Sequence, residues 1–252
     1  IALVELVKNA YDADANTVNI FMEIPDNDNN GTIIIEDDGY GMSADIVENV
    51  WLEPGSDFKT KKIAANEVSP KYKRLPIGEK GIGRFGVHKL GNVIELVTKS
   101  ENFKEVYVKI DWTTFNDYKY LEQVPIKIYE RDEPLLFKDG KTGTSITITN
   151  LHKPWDRRTA RGIKRTITSL VSPFQTKDSF KPDFTIYNKD NWFDGLLKWE
   201  DIKELALYHF KVRISDDSIK EFLYEFTPYP NMSKLSERKI FFKEKLYKNE
   251  KL

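Results

Sequence analysis

Apolar and polar positions repeat with two different periods along this chain, and the switches between them mark its elements. Residues 1–14, IALVELVKNAYDAD, place Leu3, Leu6, Val7 and Ala10 at steps of three and four, which predicts an amphipathic helix. From 17 to 24 the period falls to two, with Val18, Ile20, Met22 and Ile24 on one side, as in a half-buried strand. The turn formers of PDNDNNG, 25–31, separate it from TIIIED, 32–37, whose run of isoleucines predicts a strand buried on both faces. Ser43 stands where it can cap a short helix carrying Ile46, Val47, Val50 and Trp51 on one side. Between 53 and 76 no period survives. Pro54, Gly55, Pro70, Pro76 and several lysines predict a long polar loop, a length usually tied to function or disorder. Glycines follow at 78, 81, 83, 86 and 91, then strand-like runs at 93–98, 105–111, 124–130 and 144–149.

Near residue 150 the character changes, and a domain boundary is expected there, giving domains 1–150 and 151–252. The second begins as a linker and continues as a helix with Ile163, Ile167, Leu170 and Val171 on one face. ALYHFKVRIS and IKEFLYEFT then alternate around DDS, a hairpin pattern. The tail after 232 is rich in Lys and Glu, and no internal repeat is visible.

Composition narrows the classes. The chain has 252 residues, 40% apolar, 13% aromatic and 31% charged, so it has the bulk for a packed core despite a charged fraction above the usual ~25%. With 39 Lys and Arg against 40 Asp and Glu the net charge is −1, which excludes binding nucleic acid by bulk positive charge and leaves room for a local patch. There is no cysteine, hence no disulfide, thiol nucleophile or Cys-ligated metal, and 3 His make a multi-His metal site improbable. No apolar run approaches the ~20 residues that cross a bilayer, so the expectation is a cytoplasmic protein without membrane partners. The first residue, Ile1, already lies in a helical pattern, so the chain is read as starting inside a domain.

Four pieces carry candidate chemistry. On the first helix Glu5, Asn9 and Asp12 share a face; the plain reading is a solvated stripe, but carboxylate and amide oxygens also suit Mg²⁺ and a water-activating base. Asp37-Asp38-Gly39-Tyr40-Gly41-Met42 ends the second strand; it is either an ordinary tight turn or a carboxylate aimed at an exocyclic amine beside a backbone that a flat ligand can approach. Gly78-Glu79-Lys80-Gly81-Ile82-Gly83-Arg84-Phe85-Gly86 has the glycine spacing that presents backbone N–H groups to phosphates, without being a Walker or Rossmann pattern. Gly143-Thr144-Ser145-Ile146 enters a strand, a common arrangement by itself.

In this order the four resemble the boxes of the GHKL superfamily of ATPases, which includes DNA gyrase B, the heat-shock chaperones of the Hsp ninety type, histidine kinases and MutL. ELVKNAYDAD looks like the E-x-x-x-N-A-x-D-A helix, DDGYGM like the D-x-G-x-G box, GEKGIGRFG like the phosphate box and GTSI like the terminal Gly-Thr strand. The resemblance covers residues 1–150. It implies a Bergerat fold, a two-layer α/β sandwich with a mostly antiparallel sheet, truncated at its N-terminus, followed by a transducer-like α/β domain as in MutL and gyrase B. It implies ATP and Mg²⁺ as cofactors, Glu5 as general base, Asn9 as metal ligand and Asp12 near the adenine and lid. It further implies Asp37 on the adenine amine, Gly39, Gly41 and Met42 shaping the pocket, and Gly78, Gly81, Ile82 and Gly83 around the phosphates. Thr144 would support the adenine through its hydroxyl, and 53–77 would be a mobile lid. Lys80 departs from the simpler phosphate boxes and either reaches a phosphate or is solvated.

A carboxylate at Glu5 favours hydrolysis, in the style of MutL, MORC and chaperone-type members, over the histidine kinases, which commonly lack it. Lid closure on ATP would then drive a nucleotide-dependent homodimer, coupled to DNA or to protein clients; phosphate transfer by a histidine-kinase-type domain is the alternative. Lys153, Arg157, Arg158, Arg161, Lys164 and Arg165 crowd 153–165 against Asp156 alone. That stretch is either a solvated helix face, a nucleic-acid patch or a surface sensing the ATP site.

Overall fold

A computed structural model describes residues 2–25, 31–52, 67–77, 86–117, 126–170, 180–196, 206–215 and 218–243. They fall into two compact units, Ile1–Asp194 and Gly195–Leu252.

The first unit is one seven-stranded sheet with helices over one face. Its strands are β1 (Thr17–Glu23), β2 (Thr32–Asp37), β3 (Gly91–Lys99), β4 (Glu105–Asp111), β5 (Ile128–Arg131), β6 (Gly143–Leu151) and β7 (Lys181–Ile186), in the order β5-β4-β3-β6-β2-β1-β7. Every neighbouring pair is antiparallel except β1 and β7, which run parallel. The helices are α1 (Ala2–Asp12), the single turn α2 (Ala44–Ile46), which continues as a π-helical turn Val47–Trp51, and α3 (Arg157–Ser169). Ser43 caps α2 as its sequence predicts, accepting from the Ile46 N–H.

The core follows from the two periods. Val18, Ile20 and Met22 of β1, Ile33 and Ile35 of β2, Ile94 and Leu96 of β3 and Ile146 and Ile148 of β6 turn inward, against Leu3, Leu6, Val7 and Ala10 of α1 and Ala160 and Ile167 of α3. Each such Val, Leu, Ile or Met side chain, fully buried, is worth roughly 1.5–3 kcal/mol. Among the described residues no helix lies over the other sheet face, and this corrects the expectation of a strand buried on both sides at 32–37. Ile33 and Ile35 are buried, but Ile34 is only part-covered and pairs with Phe21 and Thr147 on the open face.

The units divide at Asp194, later than the change in sequence character near 150. The reason is β7. Its backbone hydrogen-bonds along β1, and Phe184 and Ile186 enter the same core as α1. The helix expected to open the second domain, α3, therefore packs in the first unit.

The described part of the second unit is an antiparallel sheet of β8 (Tyr208–Ser215), β9 (Ser218–Phe226) and β10 (Arg238–Lys243), in the order β10-β9-β8, with β8 and β9 forming the hairpin read from the sequence. Cross-strand register gathers Tyr208, Phe210, Val212, Phe222, Tyr224, Phe226, Ile240 and Phe242 on one face. His209, Glu225 and Lys239 line up on the other, with the His209 ring and the Lys239 ammonium both bonded to the Glu225 carboxylate.

One carboxylate organises the far end of the first sheet. Glu105, 0% exposed at the start of β4, accepts the backbone N–H groups of Leu135 (3.0 Å), Leu136 (2.9 Å) and Phe137 (3.0 Å) and a bond from Arg131 (3.0 Å). Burial alone would raise its pKa, but these donors outweigh it and hold the carboxyl below the usual glutamate value. Phe137 in turn packs against Gly143, where a Cβ would come within 2.7 Å of its ring. Glu105→Ala should cost about 3 kcal/mol, because three loop amides lose their acceptor in a buried place. The sign with pH follows from the lowered pKa. The contribution is present above the ordinary glutamate range and lost as pH falls through the folded value, so in urea denaturation the gap between parent and variant should narrow in acid.

Candidate nucleotide site

The site is the end of the core. Going along β2, β6 and β3 together, the register matches Ile33 with Ile148 and Ile148 with Ile94, then Ile35 with Ile146 and Ile146 with Leu96. The next rung on the same face is Asp37, Thr144 and Thr98. Strand alternation thus selects Asp37 over Asp38 for the inward position. Asp38 points the other way, and its Oδ1 accepts the N–H groups of Asn16 and Thr17, each at 2.7 Å, which fixes the entry to β1.

The polar rung is bonded to itself. The Thr98 hydroxyl, 0% exposed, donates to the Gly143 carbonyl at 2.9 Å, lies 3.0 Å from the Thr144 hydroxyl and accepts the Met42 N–H at 2.9 Å. Asp37 Oδ1 accepts the Gly39 N–H at 2.9 Å, and the Thr144 N–H also reaches its carboxyl. Desolvation pushes the Asp37 pKa up to about 7 against the Gly39 bond, with the Asp38 charge adding to the rise. The result is a part-buried carboxyl poised near neutrality, able to accept from an amine donor.

The glycines of the turn are demanded by close approach. A Cβ on Gly39 would meet the Ala13 carbonyl at 2.6 Å, and one on Gly41, at φ +63°, would meet the Lys99 carbonyl at 2.0 Å. The Tyr40 N–H bonds to that same Ala13 carbonyl at 2.9 Å, and the Thr142 hydroxyl donates to the Gly39 carbonyl at 2.8 Å. So the turn after β2 is seated on the exit from α1.

On α1 the stripe Glu5, Asn9 and Asp12 is part-buried throughout, not the open face of a solvated helix. Glu5 pairs with Lys8 at 2.8 Å. Asp12 Oδ1 accepts the Ile77 N–H at 2.8 Å, so it holds the residue just before the glycine box. Asp14, at φ +57°, accepts the N–H groups of Lys71 at 2.8 Å and Tyr72 at 3.3 Å. The stretch 67–77, expected as part of a mobile lid, is fastened to the end of α1 by these bonds. Gly78, Lys80, Gly81, Ile82 and Gly83 and the loop 53–66 lie outside the described residues. Beyond the box comes a single 3-10 turn, Val87–Lys89, with Val87 in the core.

Thr98, Thr142, Asp14 and Arg74 were missed by motif reading. Thr98 had a signal: it is a polar residue at the parity of Ile94 and Leu96. As for a metal, no cluster of three or more His, Asp or Glu among the described residues would hold a cation alone. An oxygen ligand such as Asn9 fits Mg²⁺ when phosphates supply further ligands.

A second feature lies on α3. Arg157, Arg158, Arg161 and Arg165 line an open groove of about 490 Å³. Arg157 donates to the carbonyls of Trp192 (3.3 Å) and Asn191 (3.4 Å), and Arg161 to those of Trp192 (2.9 Å) and Asp194 (2.6 Å). The one acid nearby in sequence, Asp156, is engaged as the helix cap, accepting the Thr159 N–H at 2.7 Å.

An α/β sandwich with helices on one face, and a carboxyl and two threonines closing its core beside a glycine turn, is the architecture of a GHKL-type ATP-binding domain. A family model described as histidine kinase-, DNA gyrase B- and HSP90-like ATPase matches residues 1–144, and the chain belongs to that family. No curated relative matches the chain. Among the described residues no helix is long and apolar enough to cross a membrane.

The raised Asp37 pKa sets a pH signature. The folded state holds a proton there between roughly pH 4 and 7 that the unfolded chain has released, so this group's contribution falls as pH rises across that window and is flat above it. In Asp37→Asn that decline should vanish from the stability–pH profile measured by denaturation. The same variant should bind adenine nucleotide more weakly in calorimetry, since the charged acceptor is gone; unchanged affinity would remove the adenine role.

Proposed function

We propose that this chain binds ATP with Mg²⁺ and hydrolyses it as a conformational switch. The observation that carries the reading is the polar rung Asp37–Thr144–Thr98, capping the core next to a helix whose part-buried stripe holds Glu5, Asn9 and Asp12. Asp37 accepts from the adenine amine, Thr144 supports the ring through its hydroxyl, and Gly39, Gly41 and Met42 shape the slot. Gly78, Lys80, Gly81, Ile82 and Gly83 hold the phosphates, with Asp12 steadying the start of that box. Asn9 would be among the ligands of a Mg²⁺ ion, which would supply neutralisation of the phosphate charge. Glu5, one helical turn from Asn9, takes the proton of the attacking water. ATP-driven closure brings two copies together, and the chain beyond residue 150 passes the nucleotide state on, as a transducer does.

Glu5→Ala should keep ATP affinity and lose turnover by ~10²-fold or more, the usual share of a general base. Phosphate release measured beside nucleotide binding decides it; a variant turning over at the parental rate takes the base role from Glu5.

The arginine groove supports nucleic acid over a protein client as the partner of the switch. Four guanidiniums in one concavity, two of them set by backbone carbonyls, offer fixed positive charge to a phosphate chain. Arg158→Ala with Arg165→Ala should flatten the salt dependence of duplex DNA binding by about 0.9 in log–log slope per lost contact. A slope equal to the parent's would make the row a solvated face.

A further inference from the structure

We propose that Arg74, with Asp14, is a positioning residue for triphosphate binding: a clamp that ties the strap 67–77, which leads into the glycine box, to the first helix. The inference deepens the ATP reading above and rests on it.

Arg74 is 8% exposed, an unusual place for a cation. Its Nη1 donates to the carbonyl of Tyr11 at 3.2 Å and to that of Ala15 at 2.7 Å, on either side of the chain's exit from α1. Its guanidinium lies 4.6 Å from the Tyr11 ring centre, 4.5 Å from that of Tyr72 and 5.5 Å from that of Phe180. Phe180 itself meets Tyr11 edge-on at 5.4 Å. No carboxylate pairs with Arg74 among the described residues, and its Nη2 has no hydrogen-bond partner there. A buried cation so incompletely satisfied is a poor device for stability; an apolar side chain of similar size would serve a core better.

What the cation does accomplish is geometric. Arg74 reaches back from the strap 67–77 to α1, while Asp14 and Asp12 reach forward from α1 to the strap, at the amides of Lys71, Tyr72 and Ile77. Ile77 immediately precedes Gly78. Three ties, made in both directions, join the start of the phosphate box to the helix that carries Glu5 and Asn9. The adenine rung on β2, β6 and β3 uses none of them. Loosening the clamp therefore acts first on the phosphate half of the ligand; the adenine half meets the same exit from α1 only through the Ala13 carbonyl under the Gly39 turn.

The test compares ATP with adenosine, by calorimetry, on the parent chain and on Arg74→Met, Arg74→Lys and Asp14→Gly. Glycine tolerates the positive φ of position 14, so that variant loses the carboxylate without backbone strain. ATP affinity should fall on the order of 10- to 100-fold in Arg74→Met and Asp14→Gly, with adenosine affinity falling far less and Arg74→Lys recovering part of the loss. Equal losses for both ligands, or no loss for ATP, overturn the clamp. A parent chain that binds neither ligand overturns the ATP reading itself, and the clamp with it; a parent that binds both, with variants of unaltered preference, overturns the clamp alone.

Discussion

On three neighbouring strands two apolar rungs, Ile33–Ile148–Ile94 and Ile35–Ile146–Leu96, are followed by a polar one, Asp37–Thr144–Thr98. The rest of the site answers to that change of chemistry. Hydroxyls at the edge of a core must find partners, and Thr98 finds them in Gly143, Thr144 and Met42. Those bonds fix the turn after β2 and the entry to β6, and the turn can approach only because positions 39 and 41 lack a Cβ. The carboxyl of Asp37 gains only part of the solvation it loses, which is why its pKa rises. The sheet holds it there regardless, since its backbone bonds to β1 and β6 do not depend on the charge. A fold that needed only stability would place an aliphatic side chain on this rung.

Carboxylates also do the joining elsewhere. Asp38 binds the entry to β1, Asp14 and Asp12 bind the strap 67–77, and Glu105 binds the loop 135–137. Each accepts backbone N–H groups that a loop, having no ladder of its own, would leave unpaired. Irregular segments around the site are thereby fixed without helices or strands.

Much of this was legible in the sequence because periodicity and spacing are local. The helix at 1–14, the strands at 17–24, 93–98, 105–111 and 144–149, the cap at Ser43 and the hairpin at 208–226 all follow from neighbours a few residues apart. The order of the four boxes pointed to the family that the comparison of residues 1–144 then showed. What was not legible depends on distant partners. Nothing near 181 says that β7 will lie along β1, so the units divide later than composition suggested. Ile34 is as apolar as Ile33 and Ile35, yet only the helix layer decides which face is covered. Arg74 sits in a run of lysines and prolines that reads as solvated loop; its burial comes from Tyr11 and Phe180, far from it in sequence.

The parallel pairing of β1 with β7 bears on how the chain comes off the ribosome. β1 is made well before β7, and its outer edge gains that partner only when residues 181–186 have emerged. Until then it presents a row of unpaired amides and carbonyls beside Ile20 and Met22, the kind of edge other chains add to. A contact of that span is slow to form, so the exposure lasts at least until β7 has been made and docked. A gene fragment ended near residue 150, where the composition changes, would make that exposure permanent. Ended after Asp194, it would carry its own protection.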